Sequence, residues 1–148
     1  MLQGEGWQVV VLSTPTGARF HHPEELEELT GEPVRIDYRM PGTGKSLPPA
    51  DAVLACPLTF NSVNKMAQGI ADCFAIGLLC EMVGYQVPTV VVPHCKPQLA
   101  AHPAFQASLA TLESIPAVTL LHDPDAPYEQ RLPTWRDVAA AVHTATRP

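Results

Sequence analysis

Five short runs of apolar or β-branched residues punctuate the chain: Trp7 to Ser13 (WQVVVLS), Pro33 to Asp37 (PVRID), Ala52 to Cys56 (AVLAC), Thr89 to Val92 (TVVV) and Ala117 to Leu121 (AVTLL). Each has strand length. Between and after them the spacing changes to that of helices, in PEELEELTG from Pro23, in the long stretch from Asn61 to Gly84, in HPAFQASLATLES from His102, and in LPTWRDVAAAVHTA near the end. Pro23 suits a first helical position and Gly31 the residue just past a helix end. Strands alternating with helices predict a mainly parallel α/β sheet. Three of the runs are apolar almost without interruption, so helices should cover both faces, giving a three-layer sandwich.

Ligands of such sheets sit beyond the carboxyl ends of the strands, where loops run into helix N-termini. The candidate loops are Ser13 to Phe20, Pro57 to Asn61 and Pro93 to Leu99. From Ile70 to Val83 nearly every residue is apolar, which predicts a helix buried all round. Either the chain's own loops cover it, or a second subunit packs on it through residues such as Phe74, Leu78 and Met82.

Composition narrows the function classes. The 148 residues suit one domain spanning 1–148, and 46% apolar content argues against disorder. A formal charge of −6 with nine Lys plus Arg offers no basic stripe, so nucleic acid is not an expected partner. No apolar run reaches the length of a membrane span and MLQGEGW has none of the parts of a signal peptide, so a cytosolic protein without a membrane partner is expected. Cys56, Cys73, Cys80 and Cys95 form no C-x-x-C pair and read as reduced thiols rather than disulfides or metal ligands. His102, just before Pro103, reads as a capping or surface residue, and no metal site is expected. The GTGKS at 42–46 fails as a phosphate loop, because the motif requires a glycine where Arg39 stands and a helix from the lysine onward. It reads as a surface loop.

The junction PLTFNSVNKMAQGIAD, Pro57 to Asp72, carries the candidate chemistry. Asparagine is a preferred N-cap, so Asn61 could serve only to start a helix; it could equally present its carboxamide, beside free backbone donors, to a planar or anionic ligand. Residue types alone leave both readings open.

This stretch resembles the P-A-S-A-N-T-x-x-K-x-A-x-G-I-x-D signature of the homo-oligomeric flavin-containing cysteine decarboxylases, which include the phosphopantothenoylcysteine and peptidyl-cysteine decarboxylases. Pro57, Asn61, Lys65, Ala67, Gly69, Ile70 and Asp72 match, and Ser62 replaces the threonine. The resemblance implies a flavodoxin-like fold, bound FMN, and a homotrimer or a multiple of trimers. It implies that Pro57, Leu58, Thr59, Phe60 and Asn61 line the flavin and that Asn61 serves both flavin and substrate as the catalytic residue. Ser13, Thr14 and Thr16 would approach the ribityl chain or phosphate.

Three departures from the family pattern accompany the match. The family's histidine upstream of the asparagine motif has no counterpart between Val34 and Pro57, and His21 and His22 fall earlier, where they read as a helix lead-in or a relocated base. The substrate clamp P-x-M-N-x-x-M-W is replaced by PHCKPQLA, leaving Lys96 to attract a carboxylate and Cys95 beside it as a thiol open to a lowered pKa. The family's first strand and glycine/serine-rich phosphate turn have no counterpart before Trp7, so MLQGEGW reads as the tail of a first helix, with Gly4 and Gly6 in its terminal turn. The implied function is therefore an FMN-dependent decarboxylase acting on a cysteinyl or other carboxylate substrate, or a non-catalytic flavin-binding or assembly subunit.

Overall fold

A computed structural model describes residues 2–44 and 46–147; Met1, Lys45 of the GTGKS stretch, and Pro148 lie outside the described residues. Its elements are α1 (Pro23–Thr30), β1 (Val53–Leu58), α2 (Phe60–Gln68), α3 (Phe74–Gly84), β2 (Thr89–Pro93), α4 (Pro97–Ala100), α5 (Pro103–Glu113), β3 (Val118–Leu120) and α6 (Trp135–Ala145). The three strands form a parallel sheet in the order β1-β2-β3, with Val53 opposite Thr89 and Thr89 opposite Val118. The architecture is α/β, as the alternation of strands and helices predicts.

Strand β2 lies at the centre and is buried along its whole length. Alternation sends Val91 to one face, where it joins Val63, Met66, Ile76, Phe105 and Leu112 from α2, α3 and α5. Val90 and Val92 go to the other face, and α6 packs on β2 with Val138, Ala139 and Val142 buried. Helix α6 is held at its start by a reciprocal pair, Thr134 Oγ1 accepting from the Asp137 amide while the Asp137 carboxylate accepts from the Thr134 amide.

Only three of the five apolar runs become sheet strands. Trp7 to Ser13 and Pro33 to Asp37 pair at a single parallel bridge, Leu12 opposite Arg35, closed by Ser13 N–H to Arg35 O at 2.8 Å and Arg35 N–H to Val11 O at 2.9 Å. This pair does not join β1. Residues 2–5 make a 3-10 turn that ends at Gly6, whose φ of +93° lies in the range glycine tolerates. Residues 46–50 open no helix, which agrees with rejecting the phosphate-loop reading.

The long helix expected from Asn61 to Gly84 is two helices. Gly69, at φ +69°, caps α2 in the left-handed conformation, and Ile70 to Cys73 form a non-helical link in which Ile70 is exposed. In α3 only Ile76 and Leu79 are fully buried. Cys80 and Val83 pack against the core, and the other apolar residues have two further destinations. Phe74 packs against Tyr38 with ring centroids 5.0 Å apart, and Leu78 and Met82 face a large cleft.

Candidate functional site

The cleft has a volume of about 1970 Å³ and lies between the Trp7–Ser13 segment, the outer edge of β1 and the second apolar face of α3. Of the residues the sequence singled out, Ser13, Thr14, Thr16, Pro57, Leu58, Thr59 and Asn61 all line it. Two do not. Phe60 turns away to stack on Phe105, centroids 5.6 Å apart, and serves the core. Lys96 is exposed at the start of α4 and is not among the lining residues.

At the carboxyl end of β1 the chain passes through a cis Cys56–Pro57 bond into Thr59, which is extended at φ −72° and ψ 163°. Thr59 is the N-cap of α2: its Oγ1 accepts from the Ser62 amide at 3.4 Å and lies 3.2 Å from Ser62 Oγ. Asn61 is thus not the cap. It sits inside the first turn, exposed, and its carboxamide makes no hydrogen bond among the described residues. The two readings left open by residue type are separated here, since another residue performs the capping.

Facing this turn is the Ser13–Phe20 loop. Ser13 is buried, its Oγ donating to Thr14 O at 3.2 Å and lying 2.9 Å from His21 Nε2. With the serine proton directed at Thr14 O, His21 donates through Nε2, leaving its buried Nδ1 an acceptor without a partner. Thr14 Oγ1 accepts from Gly17 N–H at 2.9 Å. A Cβ at Gly17 would stand 2.9 Å from Ser13 Oγ and 3.0 Å from Thr14 Oγ1, so a glycine is what lets the loop close over the two hydroxyls. The Ser13–His21 contact was not legible in the sequence. The only available signal was the eight-residue spacing across a turn-rich loop, which fixes no geometry.

The cleft carries little positive charge. Among the described residues that line it, Lys65 is the sole Lys or Arg, and it is paired with Asp72, while Glu5, Asp51 and Glu81 add further carboxylates. Three of the thiols, Cys56, Cys80 and Cys95, are held above the ordinary range by burial; at Cys95 the nearby Arg131 only partly offsets this. The lowered Cys95 pKa considered from sequence is therefore not found. Lys96 does not lower the Cys95 pKa, and Cys95 is a half-buried thiol held up by burial. Among the described residues no group of three or more His, Cys, Asp or Glu could hold a metal ion, and no helix is long and apolar enough to cross a membrane.

Hydroxyls on one wall, a free carboxamide and helix N-terminal amides on the other, and apolar surface between them suit a planar aromatic ligand with a polar tail. The flavoprotein family model matches residues 1–146. The chain belongs to the flavoprotein family. Flavin is accordingly its class of cofactor, and the residues of the cleft fit that group. A curated relative, a cysteine/cysteine sulfinic acid decarboxylase of an unknown prokaryotic organism, is 31% identical over 98 residues, covering 62% of this flavoprotein and 26% of the relative. The flavoprotein therefore spans about a quarter of that relative's length. Among solved structures it resembles the cypemycin decarboxylase CypD (23% identity, 98% of this chain and 79% of that one, TM-score 0.74). It also resembles the FMN-dependent cysteine decarboxylase TvaF from thioviridamide biosynthesis (21%, 95% and 80%, 0.71) and MrsD from a Bacillus species (14%, 95% and 80%, 0.76). These solved relatives share the fold of this flavoprotein, a flavodoxin-like α/β arrangement.

Proposed function

We propose that this flavoprotein binds FMN in the cleft and decarboxylates a thiol-bearing carboxylate, a cysteinyl peptide or a similar small acid, with Asn61 as the residue that contacts both. The observation that carries this reading is the Asn61 carboxamide, unpaired and released from capping by Thr59, on the wall that faces Ser13 and Thr14. When bound, the flavin supplies a two-electron acceptor. The protein's part is to hold it: Pro57 to Thr59 and Asn61 at one side, the hydroxyls of Ser13, Thr14 and Thr16 at the other. Assembly into trimers belongs to the same proposal. Phe74, Leu78 and Met82 support it less than their sequence pattern suggests, because the first packs on Tyr38 and the others face the cleft.

Aerobic incubation of the purified protein with FMN and cysteinyl peptides should release carbon dioxide. Asn61→Asp should weaken flavin binding roughly ten- to a hundredfold, the scale of a lost hydrogen bond plus an unfavourable charge, with the fold intact because Thr59 still caps α2. Equal flavin affinities by fluorescence titration would remove Asn61 from the site. The carboxylate-rich lining further predicts little preference for FMN over riboflavin, since the phosphate in which they differ meets no unpaired Lys or Arg among the described lining residues.

A second reading rests on a specific observation. No histidine lies between Val34 and Pro57, and Lys96 is not among the residues lining the cleft, so the groups expected to handle substrate are absent from the described lining. A chain that binds flavin tightly and releases no carbon dioxide from any cysteinyl peptide would be a flavin-binding or assembly subunit.

A further inference from the structure

The segment after β3, HDPDAPYEQR from His122 to Arg131, is turn-rich, and its polar side chains fold it back on the end of the sheet. Asp123 Oδ1 accepts from the amides of Asp125 at 3.0 Å and Ala126 at 3.2 Å, reversing the chain. Tyr128 then stacks on His94 just beyond β2, centroids 4.9 Å apart. Arg131 closes the loop, donating from Nε to Ala126 O at 2.9 Å and from Nη2 to Pro124 O at 3.2 Å. Two carbonyls therefore fix the guanidinium, while Nη1 makes no hydrogen bond and Arg131 no ion pair among the described residues. Beside it lies a concavity of about 200 Å³, lined by His122, Pro124 and Arg131 of this segment, by Pro97, Ala100 and Ala101 in and just after α4, and by Gln106 of α5. It shares no lining residue with the cleft and opens on the β3 side of the sheet, whereas the cleft lies beyond β1.

The lining has one formal charge, and it is positive. Arg131 is its sole Lys, Arg, Asp or Glu, the reverse of the carboxylate-rich cleft. Burial first, and then Arg131 itself, keep His122 neutral, with Asp123 opposing from outside the lining. His122 Nδ1 is buried without a partner, and an orphaned acceptor is better tolerated than an orphaned N–H, so the ring proton sits on Nε2, which makes no hydrogen bond among the described residues. The other walls are apolar or spoken for: Pro97, Ala101 and Pro124 present carbon, Ala100 adds only a methyl group, and Gln106 Nε2 is tied to Ala100 O at 2.6 Å. We infer that this concavity binds a short-chain carboxylate, its oxygens meeting the free guanidinium edge of Arg131 and the His122 ring, and its few carbons lying on Pro97, Ala100, Ala101 and Pro124. The volume falls below the roughly 300–1,000 Å³ of sites for drug-sized ligands, which excludes a nucleotide or a second flavin. Inorganic phosphate would satisfy the guanidinium and leave the carbon-lined walls unused. Flavin and decarboxylase chemistry play no part in this site, because none of the residues that line the cleft belongs to it.

The test titrates the 148-residue protein with sodium acetate, sodium propionate and sodium phosphate, each against sodium chloride at matched ionic strength and at about pH 7.5, where His122 is neutral. Binding is read from the imidazole ring-proton NMR signals of His122. Those of His143, which lies on α6 against Glu5 and Trp7 and outside the lining, are the reference. Propionate should move the His122 signals saturably, with a Kd of about 1–10 mM, and should bind about fourfold more tightly than acetate, the scale of one buried CH2. Chloride should move neither histidine. Arg131→Gln should weaken propionate binding at least about tenfold. Arg131→Lys keeps the charge without the fork and should weaken it about threefold or more, which preserves the test if the glutamine variant does not fold. An Arg131 that only closes the loop would lower stability in both variants and leave wild-type His122 indifferent to propionate, and that result overturns the inference. So would undiminished binding by either folded variant, no gain from acetate to propionate, phosphate binding as tight as propionate, or shifts at His143 equal to those at His122.

Discussion

Strand β2 and the segment Trp7 to Ser13 are near twins in composition, TVVVP against WQVVVLS, yet they have opposite fates. Val90, Val91 and Val92 are each 0% exposed, while Val9, Val10, Val11 and Leu12 are all half-buried and only Ser13 of that segment is buried. The difference is one of neighbours. β2 has a strand on each side, α5 and its companions on one face and α6 on the other. The N-terminal segment has one bridge to Arg35 and a cleft beyond it. Apolar sequence states what a segment would gain by burial; the surrounding elements decide whether it obtains it.

The largest expected contrast comes from truncating one apolar side chain in the core beside β2 and one in the N-terminal segment. Phe105→Ala empties a fully buried site stacked on Phe60 and should cost about 3–5 kcal/mol, whereas Val11→Ala, at a half-buried position, should cost under about 1 kcal/mol. Urea denaturation of the two variants measures both. Similar losses would mean that the N-terminal segment is packed as tightly as the core that α5 forms beside β2.

A smaller effect sharpens the boundary between folding and binding at the start of α2. Thr59→Ala removes the cap and should lower stability by about 1 kcal/mol. Asn61→Ala, inside the turn and without a partner, should change stability by less than about 0.5 kcal/mol while weakening flavin binding. Thermal melts with and without flavin distinguish the two, and the reverse ranking would return the capping role to Asn61.

The smallest effect lies at the far end of the sheet, on the well-packed side. Burial first, and then Arg131, hold the His122 pKa below 6.5, with Asp123 opposing them. The unfolded chain therefore takes up this proton more readily than the folded one, so the stability associated with neutral His122 is complete above about pH 6.5 and declines as pH falls from there towards the lowered folded value. His122→Gln should flatten that part of the stability profile, which a series of melts between pH 5 and 7, about the range over which a histidine titrates, would show. An unchanged slope would assign the acid sensitivity to other groups.

Much of the layout was readable from residue pattern. The three inner strands, the helix from Pro23 capped at Gly31, the His102 start of α5 and the clustering of the Ser13 and Pro57 loops follow from local chemistry that the fold respects. The errors share a cause. Thr59 and Asn61 are both good capping residues only two positions apart, so residue type does not separate them; Thr59 takes the role. The break after Gln68 was hidden by apolar residues that read as continuous helix, although Gly69 held the signal. Phe60, placed with the flavin contacts by the family resemblance, directs its ring to Phe105 on α5 rather than into the cleft. Composition predicts α3 buried all round, whereas only Ile76 and Leu79 are fully buried; its partition between the sheet and a cleft is a tertiary fact that periodicity does not encode.

Because Thr59 fastens the helix and Asn61, two residues on, is left with a free end, the two neighbouring positions answer to different masters. Substitutions at 59 are judged by whether the chain folds, and those at 61 by what the cleft then holds. A lineage, or a laboratory selection, could therefore sample nearly every polar side chain at 61 without the population of folded molecules changing, so this turn is a place where chemistry can drift quickly on a scaffold that does not.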